Sequence, residues 1–207
     1  MKRKPNILKD ALLLFAITIV AGALLGAVNH ITKDPIAKAQ ERQKTEAYQA
    51  VLSTAVSFED AFSDEMASQA EILSGNVSDV TIEAAVRGVD GDGNTVGYII
   101  TATSSKSYGG DLSVVVGYDT AFAITGIQVL EISDTPGLGM KAKEADFKDQ
   151  YVGKNANPYV ITKSGAATDS EIDAISSATI TSNAFNDAVN GASCFVKAAG
   201  KEGSGNE

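Results

Sequence analysis

One uninterrupted apolar run limits this chain more than any other feature: ALLLFAITIVAGALLGAV, from Ala11 to Val28, with Thr18 its single polar side chain. A helix of these eighteen residues nearly crosses the ~30 Å hydrocarbon core of a bilayer, and Ile7, Leu8 and Ile31 can extend it. The Thr18 hydroxyl can be satisfied on a helix carbonyl. Lys2, Arg3, Lys4 and Lys9 precede the run. Basic flanks stay cytoplasmic, so the sequence predicts a single-pass anchor in the cell membrane, with the N-terminus cytoplasmic and everything after Asn29 outside. A cleaved signal peptide has the same basic start, but its apolar core is shorter, about 7–15 residues, and no small-x-small cleavage site follows Val28. Thr18, Gly22 and Gly26 are spaced so that another helix could approach closely along one stripe.

Most acidic residues follow the apolar run, and the net charge of −9 excludes nucleic acid as a partner, because that needs a basic face. The single cysteine, Cys194, excludes an internal disulfide and any multi-cysteine metal or iron–sulfur centre. With one histidine, His30, the chain has no His/Cys metal cluster either. Apolar residues make up 44% of the 207, enough for a packed core.

After the anchor, residues 36–53 lack Gly and Pro and read as a helix, followed by a looser acidic stretch to Ser78. Val80–Val89 and Thr95–Thr103 read as strands joined by the turn Asp90-Gly91-Asp92-Gly93-Asn94. That turn superficially resembles a calcium loop, but Thr95 and Thr101 occupy the positions where such a loop needs Gly and Glu. A second strand pair, Leu112–Gly117 and Ala123–Ile132, turns at Tyr118-Asp119-Thr120. A helix is predicted at Lys141–Tyr151, a short strand at Tyr159–Thr162, and a helix from Ser182 to Ala199. The polar residues 200–207 read as a disordered tail. The predicted fold class is α+β, with an antiparallel sheet flanked by helices.

Two segments carry candidate chemistry. Ser176-Ser177-Ala178-Thr179-Ile180-Thr181-Ser182 puts five hydroxyls just before a helix. Such hydroxyls cap free N–H groups. A helix N-terminus is also a natural phosphate site, and a hydroxyl there could be esterified by that phosphate. The two roles are compatible, falling to different hydroxyls. The other segment, Asp134-Thr135-Pro136-Gly137-Leu138-Gly139-Met140, is a Pro/Gly turn in which glycines would let a flat ligand lie against backbone beneath apolar cover. A weaker segment, Tyr108-Gly109-Gly110, joins an aromatic to flexible backbone.

These segments resemble a known family. Thr135-Pro136-Gly137-Leu138-Gly139 matches the (E)TPGLG element of the FMN-binding domain in the G subunit of Rnf electron-transport complexes. A related domain occurs in the C subunit of the sodium-pumping NADH:quinone reductase. Asp173-Ala174-Ile175-Ser176-Ser177-Ala178-Thr179 is similar to the flavinylation signature D-x-x-[ST]-G-A-[TS], and Tyr108-Gly109-Gly110 to the segment GYGG. The resemblance covers nearly the whole chain. Three residues depart from it: Ser177 stands for the usual Gly, Asp134 for Glu, and Ser107 for the first Gly of GYGG. The departure of most consequence is Ser177, where glycine allows close approach of backbone to ligand.

The resemblance implies a covalent FMN, phosphoester-linked to Thr179 by a magnesium-dependent flavin transferase that uses FAD. It implies that Ser176, Ser177, Ala178 and Ser182 shape the site around the phosphate. It also implies that Tyr108, Gly109, Asp134, Thr135, Gly137, Leu138 and Gly139 line the isoalloxazine, and that Asp173 serves recognition by the transferase. The implied division is a basic N-terminus and transmembrane helix at 1–31, a helical connector at 32–78, an FMN-binding domain at 79–199 and the tail at 200–207. The implied role is an electron-carrying subunit, without stand-alone catalysis, of an ion-translocating ferredoxin:NAD⁺ oxidoreductase, working with other membrane subunits. A non-redox extracytoplasmic binding domain and a flavin carrier for another membrane reductase are the alternatives.

Overall fold

The structure, a computed structural model, describes residues 7–73 and 77–203. The basic residues Lys2, Arg3 and Lys4 and the tail residues 204–207 lie outside the described residues. Two compact units divide between Gln43 and Lys44.

Helix α1 runs from Ile7 to Val51. The sequence predicts a separate helix from residue 36, after Pro35, yet α1 passes through Pro35 without ending. Proline removes one backbone hydrogen bond, to the carbonyl four residues earlier at Ile31, and the helix formers that follow it, from Ala37 to Lys44, carry the helix onward. Along the first unit the apolar side chains, Leu12, Leu13, Phe15, Leu24 and Leu25 among them, are all exposed. No protein core satisfies this stretch, which is long and apolar enough to cross a membrane. Thr18 Oγ1 donates to the Phe15 carbonyl at 2.9 Å, as a hydroxyl in lipid requires.

In the second unit, five antiparallel strands form a meander in the order β1 to β5: Ser57–Asp60, Val80–Val89, Thr95–Ser107, Gly110–Asp119 and Ile124–Glu131. The Asp90 carboxylate closes the β2–β3 turn by accepting from the Asp92 and Asn94 amides, both at 2.9 Å, which confirms the hairpin reading of that segment. Strand β1 had no signal of its own. SFED lacks alternation, and pairing with β2 together with the Arg87–Glu59 ion pair holds it at the sheet edge. Between β1 and β2 lie two short helices, α2 (Ser63–Ala67) and α3 (Gln69–Leu73).

Helix α5, Thr179–Gly203, covers one sheet face. Its Phe185, Ala188, Val189, Ala192, Phe195, Val196 and Ala199 repeat at helical spacing and pack on Ile82, Ile100, Ala102, Leu112, Val114 and Val116. The opposite face is covered by the last turns of α1 and the residue after it, where Tyr48, Val51 and Leu52 meet Val86, Ile99 and Val115. Both faces of β3 and β4 are therefore buried at their centres, where Ile99 and Ile100 in one strand and Val114, Val115 and Val116 in the other are adjacent apolar residues.

The helix predicted at Lys141–Tyr151 is instead three pieces: a 3-10 turn at Gly139–Lys143, the short α4 (Ala145–Lys148), and a 3-10 turn at Asp149–Tyr151. Ala142, Phe147 and Tyr151 are all buried. In one continuous helix Ala142 would point about 140° away from Phe147, and the extended backbone at Glu144 breaks the helix so that both face inward. The strand at Tyr159–Thr162 forms as β6, Val160–Thr162. Its partner β7, Glu171–Asp173, was not foreseen, and the pair is parallel. Helix α5 starts three residues earlier than predicted and extends to Gly203, into the segment read as a tail.

The end of α1 sits very close to the sheet at Gly117. A Cβ there would meet the Val51 carbonyl oxygen and Thr125 Oγ1, each at 2.6 Å. Backbone cannot move aside cheaply, so Gly117→Ala is expected to cost about 1–3 kcal/mol in thermal or denaturant unfolding. Gly91→Ala, where a Cβ meets nothing within 4 Å, should be close to neutral.

Candidate functional site

The sheet and α5 bring three distant chain segments together at the helix N-terminus. The β3–β4 hairpin tip carries Tyr108, the loop after β5 carries Asp134 to Gly139, and the chain between β7 and α5 carries Ser177 and Ala178. Together with Thr179, Ile180 and Thr181 they line a cavity of about 460 Å³. This volume lies within the range of small-molecule and cofactor sites.

Two tight turns form opposite walls. In the first, the Leu138 amide donates to the Thr135 carbonyl at 3.2 Å, and Gly137 at the third position has φ +77°. In the second, the Ala178 amide donates to the Ile175 carbonyl at 3.0 Å, and Ser177 at the third position has φ +64°. Positive φ at that position is the reason such turns favour glycine. The sequence puts glycine in one turn and serine in the other. Leu138 is 42% exposed and Tyr108 71% exposed, so both present apolar surface at the cavity rim.

Helix α5 begins at Thr179, and its first internal amide bond runs from Ser182 to the Ala178 carbonyl at 3.0 Å. Helix geometry leaves the N–H groups of Thr179, Ile180 and Thr181 without carbonyl partners. The nearby hydroxyls are engaged elsewhere. Ser182 Oγ donates to the Ala178 carbonyl and accepts from the Ile175 amide, both at 2.9 Å, and the Thr181 hydroxyl donates to Asp134. The N–H groups are therefore available to an acceptor from the cavity, where the helix dipole also favours negative charge. Thr179 is half-buried at this point and is one of the residues that line the cavity. Among the described residues, no Lys or Arg lines the cavity.

Of the residues singled out from the sequence, Tyr108, Asp134, Thr135, Leu138, Gly139, Ser177, Ala178 and Thr179 meet at this cavity. Gly109 and Gly137 lie next to lining residues, Gly109 after Tyr108 and Gly137 before Leu138, and are not themselves part of the lining. Ser182 is buried and fastens the turn to the helix. Asp173 and Ser176 instead line a separate, open groove with Lys141, Glu144, Asp146 and Gln150. Ile180 and Thr181 are cavity residues that the sequence reading missed. Ile180, 55% exposed at the second helical position, is an apolar residue facing away from the core, a signal legible only once the helix start is known.

Comparison with known proteins gives a consistent picture. A model of the FMN-binding domain matches residues 107–193, and a model of the RnfG N-terminal region matches residues 1–51. The chain is 31% identical over 186 residues to the G subunit of the Na(+)-translocating ferredoxin:NAD(+) oxidoreductase complex of Acetobacterium woodii, covering 89% of this chain and 88% of that one. It is 32% identical over 199 residues to the G subunit of the ion-translocating oxidoreductase complex of Methanosarcina acetivorans, covering 96% and 98%. Among solved structures, Shewanella oneidensis NqrC aligns with a TM-score of 0.48 at 19% identity, over 57% of this chain and 59% of that one.

The serine at φ +64° generates a stability prediction. Left-handed backbone costs a non-glycine residue about 1–2 kcal/mol, against about 0.5–1 kcal/mol of extra chain entropy for glycine. Ser177→Gly should therefore stabilise the protein by about 0.5 kcal/mol. Ser177→Ala keeps the strain and should give no gain. Equal melting temperatures for Ser177→Gly and Ser177→Ala would show that the turn relaxes around its serine.

Proposed function

This chain belongs to the family of G subunits of ion-translocating oxidoreductase complexes, and from that premise we propose that it carries electrons on an FMN esterified to Thr179. It is a membrane-anchored electron-transfer subunit with an FMN-binding domain. The observation that carries the finer reading is the convergence of Tyr108, the Asp134–Gly139 turn and Ser177–Thr179 on one cavity at a helix N-terminus.

The donor set fits the cofactor. The free N–H groups of Thr179, Ile180 and Thr181 suit a phosphate without a lysine or arginine, and a phosphoester would join that phosphate to the Thr179 hydroxyl. Leu138, Ile180, Tyr108 and Ala178 offer apolar cover for a flat ring and keep water from it, while Ser176 and Ser177 form the tight turn that leads into the phosphate site. Once bound, flavin supplies one- and two-electron transfer, which needs no acid, base or nucleophile from the protein. A covalent bond also prevents loss of the cofactor by diffusion. Asp173, in the neighbouring groove with Ser176, is assigned to recognition by the flavin transferase. By the same reading the complex couples ferredoxin:NAD⁺ oxidoreduction to ion movement, and the domain lies outside the cytoplasm.

Two experiments test this. In chain co-expressed with a flavin transferase, which would transfer the FMN moiety of FAD and release AMP, the intact mass should rise by one FMN less one water, and the band should fluoresce in a denaturing gel. Thr179→Val removes the hydroxyl and should abolish both, whereas Thr120→Val, at an exposed hydroxyl in the β4–β5 turn outside the cavity, should retain them. Fluorescence that persists in Thr179→Val would assign the bond to another hydroxyl.

Orientation needs a probe other than Cys194. That thiol is half-buried against the Ile72 carbonyl, and burial pushes its pKa up, so little reactive thiolate forms. Asp92→Cys, in the exposed β2–β3 turn, should react with a membrane-impermeant thiol reagent in right-side-out vesicles while Cys194 stays slow. Reaction only after the vesicles are opened would place the domain in the cytoplasm.

A further inference from the structure

Asp134 has more structural connections than a wall residue needs. It is 5% exposed, and its carboxylate accepts three hydrogen bonds. The Gly109 amide donates to Oδ1 at 2.6 Å, the Ser107 hydroxyl donates to Oδ2 at 2.8 Å, and the Thr181 hydroxyl also donates to Oδ2. These donors come from the tip of the β3–β4 hairpin and the first turn of α5, while Asp134 itself leads into the Thr135–Leu138 turn. The one carboxylate thus ties together all three segments that wall the cavity.

Two glycines make room for this clamp. A Cβ on Gly109 would collide with the backbone of Ser133 and Asp134. A Cβ on Gly139 would collide with the Asp134 side chain and with Thr181 Oγ1. No cation neutralises the charge, because neither salt bridge among the described residues involves Asp134. Three donors to one buried carboxylate replace the water it loses on folding, and hydrogen bonds to an ionised acceptor are the strong ones.

We propose that Asp134 is a positioning residue: it assembles the cavity by holding the hairpin tip, its own turn and the start of α5 in register, so that the Thr179 hydroxyl is presented correctly. The proposal rests on the reading of this cavity as the flavin site, and it gives Asp134 a role through the segments it holds rather than through contact with the ring. It also separates geometry from charge. Asn has the same shape, and its oxygen can still accept from the Gly109 amide. Its NH₂ can donate to the Ser107 and Thr181 hydroxyls, which accept as readily as they donate. Asp134→Asn should therefore keep the clamp without the charge, and Asp134→Ala should lose it.

The test uses the full chain in detergent, with two readouts. The first is amide hydrogen exchange of the flavin-free protein. Asp134→Ala should speed exchange at residues 107–110 and 179–182 together, leaving Ile99–Ala102 in the central strand unchanged, and Asp134→Asn should match the wild type. The second is the initial rate of flavin loading by the transferase. Asp134→Ala should be slower by about tenfold or more, as for a misplaced reacting group, and Asp134→Asn within about twofold of wild type. If Asp134→Asn is as impaired as Asp134→Ala, charge and not geometry is the function, and the proposal is wrong. Uniformly faster exchange, including Ile99–Ala102, would mean ordinary destabilisation and also overturn it.

If Asp134→Ala does not fold, Thr181→Val and Ser107→Ala each remove one donor. Each should slow loading, and the double variant should fall short of the product of the two effects because both act through one carboxylate. Independent effects would overturn the clamp. Should wild-type chain take no flavin at all, the functional reading fails, while the exchange comparison still decides whether Asp134 holds the three segments.

Discussion

The site depends on α5 being unable to slide. Seven apolar side chains from Phe185 to Ala199 lock one stripe of this helix onto the sheet. Buried polar contacts then fix its register. Asn190 accepts from the Tyr159 amide at 2.7 Å, Asn186 and Asn190 both donate to the Tyr159 carbonyl, and the Tyr118 hydroxyl bonds Ser193 at 3.0 Å. Moving the helix by one residue would bury these groups unpaired, at about 1–3 kcal/mol for each. Burial also raises the pKa of the Tyr118 and Tyr151 hydroxyls well above the usual tyrosine value, so both stay neutral partners. A helix held so firmly has to end somewhere, and its unpaired N–H groups emerge where the hairpin tip and the Thr135–Leu138 turn can enclose them.

The sheet does the complementary work. Its two faces serve different helices: α5 packs on one, and the last turns of α1 on the other. Thr125 Oγ1 donates to the Val51 carbonyl at 2.5 Å, so the sheet caps the C-terminal end of α1 while supporting the N-terminal end of α5. The central strands β3 and β4 form the shared layer, and the tip that joins them carries Tyr108.

Much of this was legible in the residues, and what was not has a common cause. The Asp90–Asn94 turn has strong local chemistry, so β2 and the start of β3 could be read directly. The hydroxyl-rich segment marked the start of α5 to within three residues. Its exact start depends on which hydroxyl caps which group: Ser182, read as lying at the helix boundary, is inside the first turn and bonds back to Ala178. Strands β1 and β7 are defined by their partners, and each is too short to announce itself. The break at Glu144 satisfies three buried residues at once, which no single helical period can express. Asp134 was singled out because it precedes Thr-Pro-Gly, but its partners Ser107, Gly109 and Thr181 are distant in sequence, and nothing local to any of them points to the others. Ser177 is the reverse case: its departure from the usual glycine was visible in the sequence, and the structure supplies the reason, a left-handed backbone.

The Asp134 clamp also sets a clock. During synthesis the hairpin tip with Ser107 and Gly109 leaves the ribosome first, then Asp134, and Thr181 well after both. Until α5 has emerged and docked, the carboxylate has two of its three donors, and the cavity lacks the wall that bears Thr179. Chemistry at that hydroxyl which requires the enclosed cavity must wait until the domain is essentially folded. A chain that stalls, misfolds or loses α5 never forms that wall, and the cavity stays open on the side where the helix N-terminus would stand.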